Sequence, residues 1–100
     1  MYVLKKTDLF QDWLLKLKDI KAKARILSRL SRAENGNLGD AKSIGNGLFE
    51  LRIDYGPGYR IYYTIIGRQI VFLINGGDKS SQQKDIIRAK KIMDQIRGEK

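Results

Sequence analysis

Three cations in the second half of the chain, Arg52, Arg60 and Lys79, have the chemistry to hold a phosphate. A guanidinium fork matches two phosphate oxygens at once, and an ammonium adds a compact point charge. Tyr62 adds a ring that can stack on an unpaired base, and Lys42 and Asn75 are further candidate contacts to a nucleic acid. Other chemistries are closed off. The chain has no histidine and no cysteine, which excludes a histidine-based triad, a thiol nucleophile and any site ligated by histidine or thiolate. No carboxylate cluster has metal-ligand spacing, so neither a metal nor a cofactor is expected. Gly76-Gly77-Asp78-Lys79-Ser80 lacks the spacing of a phosphate loop, and Gly45-Asn46-Gly47 lacks the third glycine of a dinucleotide site.

Hairpins must bring the three cations together. Leu48–Tyr55, Tyr59–Ile66 and Gln69–Asn75 are rich in β-branched and aromatic residues and read as strands. A two-residue turn at Gly67-Arg68 pairs Ile66 with Gln69. A three-residue loop at Gly56-Pro57-Gly58 pairs Ile53 with Ile61. Both registers then put Phe49, Leu51, Ile53, Ile61, Tyr63, Ile65, Ile70, Phe72 and Ile74 on a core face. Glu50, Arg52, Asp54, Arg60, Tyr62, Thr64, Leu73 and Asn75 fall on an exposed face, with Arg60 between Asp54 and Asn75, Arg52 beside Tyr62, and Lys79 just beyond. The plainer reading of that face is a solvated surface with cross-strand ion pairs such as Asp54–Arg60, worth about 0–1 kcal/mol.

The remaining elements frame this sheet. Tyr2–Lys5 reads as a first strand. Asp8 and Gln11 form a capping box for a helix with Leu9, Phe10, Trp13, Leu14 and Leu17 on its apolar face. Asp19 caps a second helix with Ile20, Ala24, Leu27 and Leu30 inward and Ile26 at the flank of that stripe. Its other face carries Lys21, Lys23, Arg25, Arg29 and Arg32, most simply a solvated face. Gly39–Gly47 reads as loop with a short edge strand. Ser80 or Ser81 caps a last helix through Ile87, Ala89, Ile92, Met93 and Ile96. At 100 residues this is one α+β domain over residues 1–100. Net charge is +9, from 20 Lys+Arg against 11 Asp+Glu, which points to an anionic partner such as nucleic acid. The longest apolar run, Ile70–Ile74, is far too short to cross a bilayer, and the N-terminus lacks a signal-peptide core. A cytoplasmic protein without membrane contact is expected.

Phe49-Glu50-Leu51-Arg52, then Gly58-Tyr59-Arg60-Ile61-Tyr62, then Asn75-Gly76-Gly77-Asp78-Lys79-Ser80 resemble the RelE/ParE toxin superfamily, in its HigB-like branch of phage Gp49-like or addiction-module killer proteins. The likeness covers nearly the whole chain. It implies an N-terminal strand and two-helix hairpin packed on an antiparallel sheet, then a C-terminal helix. It further implies a type II toxin that cuts messenger RNA on the ribosome without metal, and a cognate helix-turn-helix antitoxin. The ParE members imply the alternative of a non-enzymatic gyrase inhibitor. Carried over by position, Arg60 matches the family's strand arginine, Lys79 a basic residue after the last strand, and Arg52 one on the preceding strand. Some relatives place a stacking tyrosine early in the last helix, where this chain has Asp85. Without histidine, proton transfer falls to Lys79, Tyr62, Asp54, Asp78 or the ribosome.

Overall fold

The computed structural model describes residues 1–98. Along the chain run β1 (Val3–Lys6), α1 (Asp8–Lys16), α2 (Ile20–Glu34), β2 (Ala41–Gly45), β3 (Leu48–Ile53), β4 (Tyr59–Ile66), β5 (Ile70–Asp78), a short 3-10 turn (Lys79–Ser81) and α3 (Gln82–Ile96). The domain expected over 1–100 extends to Glu99 and Lys100, which lie outside the described residues. The strands lie side by side in the order β1-β5-β4-β3-β2. β1 runs parallel to β5 and every other pair is antiparallel, so the sheet is mixed.

Local chemistry explains where the helices begin. Thr7, not Asp8, caps α1: its backbone is extended and its hydroxyl accepts from the Phe10 N–H at 3.0 Å. The same hydroxyl donates to the Ile74 carbonyl, tying the helix start to β5. Asp19 caps α2 as expected, accepting from the N–H groups of Lys21 and Ala22 at 3.0 and 3.2 Å. The buried stripe of α2 is Ala22, Ile26, Leu30 and Ala33, whereas Ile20 and Leu27 are 81% and 53% exposed. Both stripes have helical spacing and share Leu30. Nor is the basic face wholly solvated. Arg29 donates to the carbonyls of Arg52 and Leu38 at 2.6 and 3.2 Å, fastening α2 to β3 and to the loop before β2.

Register is where the sheet departs from expectation. Ile53 faces Tyr59, and Leu51 faces Ile61, because residues 54–58 form a five-residue connection. A slip of two leaves every side chain on its expected face. At the next turn Ile66 faces Ile70 across residues 67–69, with Gly67 at φ +62°, where a side chain is strained. This slip of one puts Val71 and Leu73 beside Tyr63 and Ile65, in the places expected for Ile70 and Phe72. A bulge then leaves Ile74 as an extra residue and restores the phase, so that Asn75 faces Tyr62.

Both faces of the sheet are covered. Phe10, Ile26, Leu51, Ile61, Tyr63, Val71 and Leu73 form the larger core beneath α1 and α2. Leu48, Tyr62, Ile74, Ala89 and Met93 form a second core beneath α3. The face expected to be solvated is therefore largely buried. Ile87, expected inward on α3, is 59% exposed, and Ser81 at the helix start makes no side-chain capping bond.

Buried tyrosines make this packing alkali-sensitive. Burial pushes the Tyr63 hydroxyl up to about 12, from an ordinary value of 10.0. Tyr62 moves further in the same direction, through burial and the neighbouring Glu50. A folded-state value above the unfolded one contributes stability in full below pH 10 and loses it as pH rises through 12. Denaturant midpoints should hold up to pH 9–10 and then fall, with tyrosinate absorbance rising as structure is lost. Tyr63→Phe should shallow that fall; an unchanged alkaline profile would count against the linkage.

Candidate anion-binding cleft

Arg52 on β3 and Arg60 on β4 are direct cross-strand partners. Like charges opposed in this way are unfavourable unless countered, and each has a carboxylate on one edge. Glu50, only 1% exposed, places Oε1 3.4 Å from Arg60 Nε, an ion pair without hydrogen-bond alignment. Glu50 Oε1 also accepts from Gln82 Nε2 of α3 at 2.8 Å. Asp40 Oδ1 accepts from Arg52 Nη2 at 3.1 Å; this pair is exposed and contributes little. Lys79 arrives from the turn after β5, whose start is fixed by Asp78 accepting from the Ser80 N–H at 2.8 Å.

The three cations line one cleft of about 370 Å³ with Asp40, Ile53, Asp54, Gly58. Its guanidinium and ammonium groups come from three different elements, an arrangement able to bind an oxyanion from several sides. Gly58 sits at φ +82° beside Arg60 Nη1 and Lys79 Cβ, where the absent side chain leaves the rim open. Among the described residues no group of acidic side chains could hold a metal ion.

Other expected contacts are placed differently. Arg60 lies between Arg52 and Gly77, not between Asp54 and Asn75. Tyr62 is fully buried under α3, so its ring has no open face for a base; Asn75 is 2% exposed and donates through Nδ2 to the Asp85 carbonyl at 3.0 Å. Lys42 is exposed on β2 opposite Glu50 and does not line the cleft. Glu50 and Gln82 were missed as partners of the site. The available signal was an acidic residue inside the apolar run Leu48–Ile53.

Glu50, Tyr62 and Asn75 form a buried polar row across β3, β4 and β5. Glu50 Oε2, the Tyr62 hydroxyl and Asn75 Oδ1 have no hydrogen-bond partner among the described residues. A buried hydroxyl without a partner costs about 1–3 kcal/mol. Tyr62→Phe should accordingly leave stability unchanged or raise it by about 1 kcal/mol, read from the denaturant midpoint. A clear loss of stability would show that the hydroxyl is bonded in solution.

Residues 12–95 match the family described as Phage derived protein Gp49-like (DUF891). The chain belongs to this family. It is 48% identical over 93 residues to an uncharacterised protein of Haemophilus influenzae, covering 93% of this chain and 94% of that one. The fold of this Gp49-like protein is that of the RelE toxins, as the resemblance implied. It superposes on a double variant of E. coli RelE in the free state with a TM-score of 0.70 at 20% identity, covering 91% of this chain and 97% of that one. A chain of the intact E. coli RelBE toxin–antitoxin complex gives a TM-score of 0.65 at 20% identity, covering 78% of this chain and 96% of that one. Among the described residues no helix is long and apolar enough to cross a membrane.

Proposed function

We propose that this Gp49-like protein is the toxin of a toxin–antitoxin pair and cuts messenger RNA on the ribosome without a metal ion. The observation that carries this reading is the convergence of Arg52, Arg60 and Lys79 on one cleft. In such a cleavage the ribose 2′-hydroxyl attacks the adjacent phosphorus, the 5′-oxygen of the next nucleotide leaves with a proton, and a 2′,3′-cyclic phosphate remains. The three cations stabilise the charge that builds on the phosphoryl oxygens. The ribosome holds the codon in place, which supplies the alignment the small cleft cannot.

The cleft also narrows the choice of proton carriers. Tyr62 is buried and held neutral by its surroundings. Hydrogen bonds from Ser80 hold Asp78 below the usual carboxylate range, making it a weak base. Lys79 and Asp54 line the cleft and are the candidates for moving protons there. The partner in this reading is an antitoxin with a helix-turn-helix, its acidic residues drawn to a chain of net charge +9. The cytoplasm, where ribosomes work, is the compartment.

The test is incubation with translating ribosomes followed by mapping of RNA ends. Cuts within ribosome-bound codons that leave cyclic phosphates support the reading. Intact messenger RNA with inhibited gyrase supercoiling would replace it by the gyrase alternative.

A further inference from the structure

A second concavity, of about 370 Å³, lies between α1 and α3 around the far end of β5. Its wall is the indole of Trp13, tilted against Phe10 and edge-on to Tyr59 at centroid distances of 5.8 and 6.2 Å. Its floor is Gly76 and Gly77, where no side chain fits. A Cβ on Gly76 would overlap the Trp13 ring, and one on Gly77 would overlap the Asp85 carboxylate. The two adjacent glycines thus let an aromatic ring and an acid pack directly on the strand.

Its polar lining sets the acceptors Asp78, Asp85 and Asn75 beside one cation, Arg88. Asp85 sits on the rim with its carboxylate steadied by the Ser81 hydroxyl at 2.5 Å. Asp78 stands at the other end. Asn75, only 2% exposed, lines the same space; its amide donates to the Asp85 carbonyl and its Oδ1 has no partner among the described residues. A fitting ligand therefore combines a flat apolar face with adjacent N–H donors for the acids and an acceptor for Arg88, as the guanine O6 beside N1–H would be.

Among RNA bases only guanine presents two neighbouring donors, N1–H and N2–H, on its pairing edge. Adenine and cytosine mix a donor with an acceptor, and uracil offers one donor between two acceptors. The position also fits. Tyr59 and Asp78 are cross-strand partners at the groove. Their chain neighbours Gly58 and Lys79 line the phosphate cleft. We propose that this groove binds a guanine base of the RNA, ring against Trp13 and pairing edge toward Asp85 and Asn75, while the neighbouring phosphate lies among Arg52, Arg60 and Lys79. The inference rests on the RNA reading of the cleft and adds to it a base preference that this chain draws from Asp85.

Trp13 is the single tryptophan of the chain, so its emission reports on the groove directly. The intact protein, without ribosomes, is titrated with the four ribonucleosides and with their 5′-monophosphates. Guanosine and guanosine monophosphate should change the emission at concentrations roughly tenfold lower than the other bases require. Asp85→Asn should remove that preference while leaving the phosphate contribution, which Arg60→Lys should weaken. An equal response to all four bases, or none at any concentration tested, overturns the groove assignment. RNA-end mapping on ribosomes separates the two readings. Cutting without a guanine preference and without a base-selective emission change leaves the nuclease standing and removes the groove. A guanine-selective emission change without cutting keeps the groove and removes the nuclease.

Discussion

Replacing Arg60 by alanine should lower the rate of RNA cutting on ribosomes about 100- to 1,000-fold, the usual loss when one prearranged donor to a developing oxyanion is removed. The geometry favours Arg60 over its neighbours for this effect. Its side chain is only 14% exposed, and Glu50 holds the Nε edge at 3.4 Å, so the terminal amino groups are presented to the cleft in a restricted orientation. Arg52 is 38% exposed and paired with an exposed carboxylate, and Lys79 is exposed on a turn; alanine at either should cost less. Arg60→Lys should recover only part of the rate, because it returns charge without the two-pronged fork. On ribosomes, which hold the codon whether or not Arg60 is present, the loss should fall mainly on kcat rather than on KM. Arg25→Ala on α2, where the guanidinium lies 4.7 Å over the Tyr55 ring away from the cleft, should leave the rate near normal. A folded Arg60→Ala protein that cuts at the normal rate would remove Arg60 from the mechanism.

The same substitution should also weaken the fold, by about 3–5 kcal/mol, because it strands a buried carboxylate. That is a large part of a total stability of roughly 5–15 kcal/mol. A solvated sheet position would have tolerated truncation within about 0.5 kcal/mol, but Glu50 beneath Arg60 is 1% exposed and one of its oxygens already has no partner. The pair is asymmetric. Glu50→Gln leaves an arginine whose end reaches the open cleft, keeps a side chain for Gln82, and should cost clearly less. The double variant Glu50→Gln with Arg60→Ala should recover most of what Arg60→Ala loses, a coupling measurable from denaturant midpoints at unchanged m. If the double variant loses the sum of the two singles, the carboxylate is not stranded and the pair is not coupled. The double variant also separates catalysis from folding, since it should be folded and still inactive.

Much of this cleft was legible in the sequence, for reasons that depend on strand parity. Arg52 and Arg60 share a face because the β3–β4 register slipped by two, which changes neighbours without changing sides. Asn75 kept its side only because a bulge at Ile74 cancelled the one-residue slip at Gly67. Nothing in local pattern announces a bulge of that kind, and Leu73 and Phe72 accordingly exchanged faces. The burial of Tyr62 had a different cause. Periodicity says that α3 has an apolar stripe but not which side of the sheet it covers, and Leu48 in phase with the supposedly wet face was the available warning. Glu50 looked like one more surface charge until the Gln82 side of α3 was seen to close over it.

The parallel pairing of β1 with β5 bears on when the molecule becomes active. Val3 donates to the Gln69 carbonyl at 2.7 Å and Thr7 to the Ile74 carbonyl 67 positions further on, so the first strand finds its partner only after most of the chain exists. Contacts this distant in sequence form slowly. At a translation speed of about 5–20 residues per second, Lys79 is made roughly one to four seconds after Arg60. During that interval β5, to which the start of α1 is tied, is still being made, and the cleft lacks its third cation. On the toxin reading proposed above, an inhibitor already present would meet a partly assembled chain, with the apolar face of α1 open for capture, before the cleft can close around a phosphate.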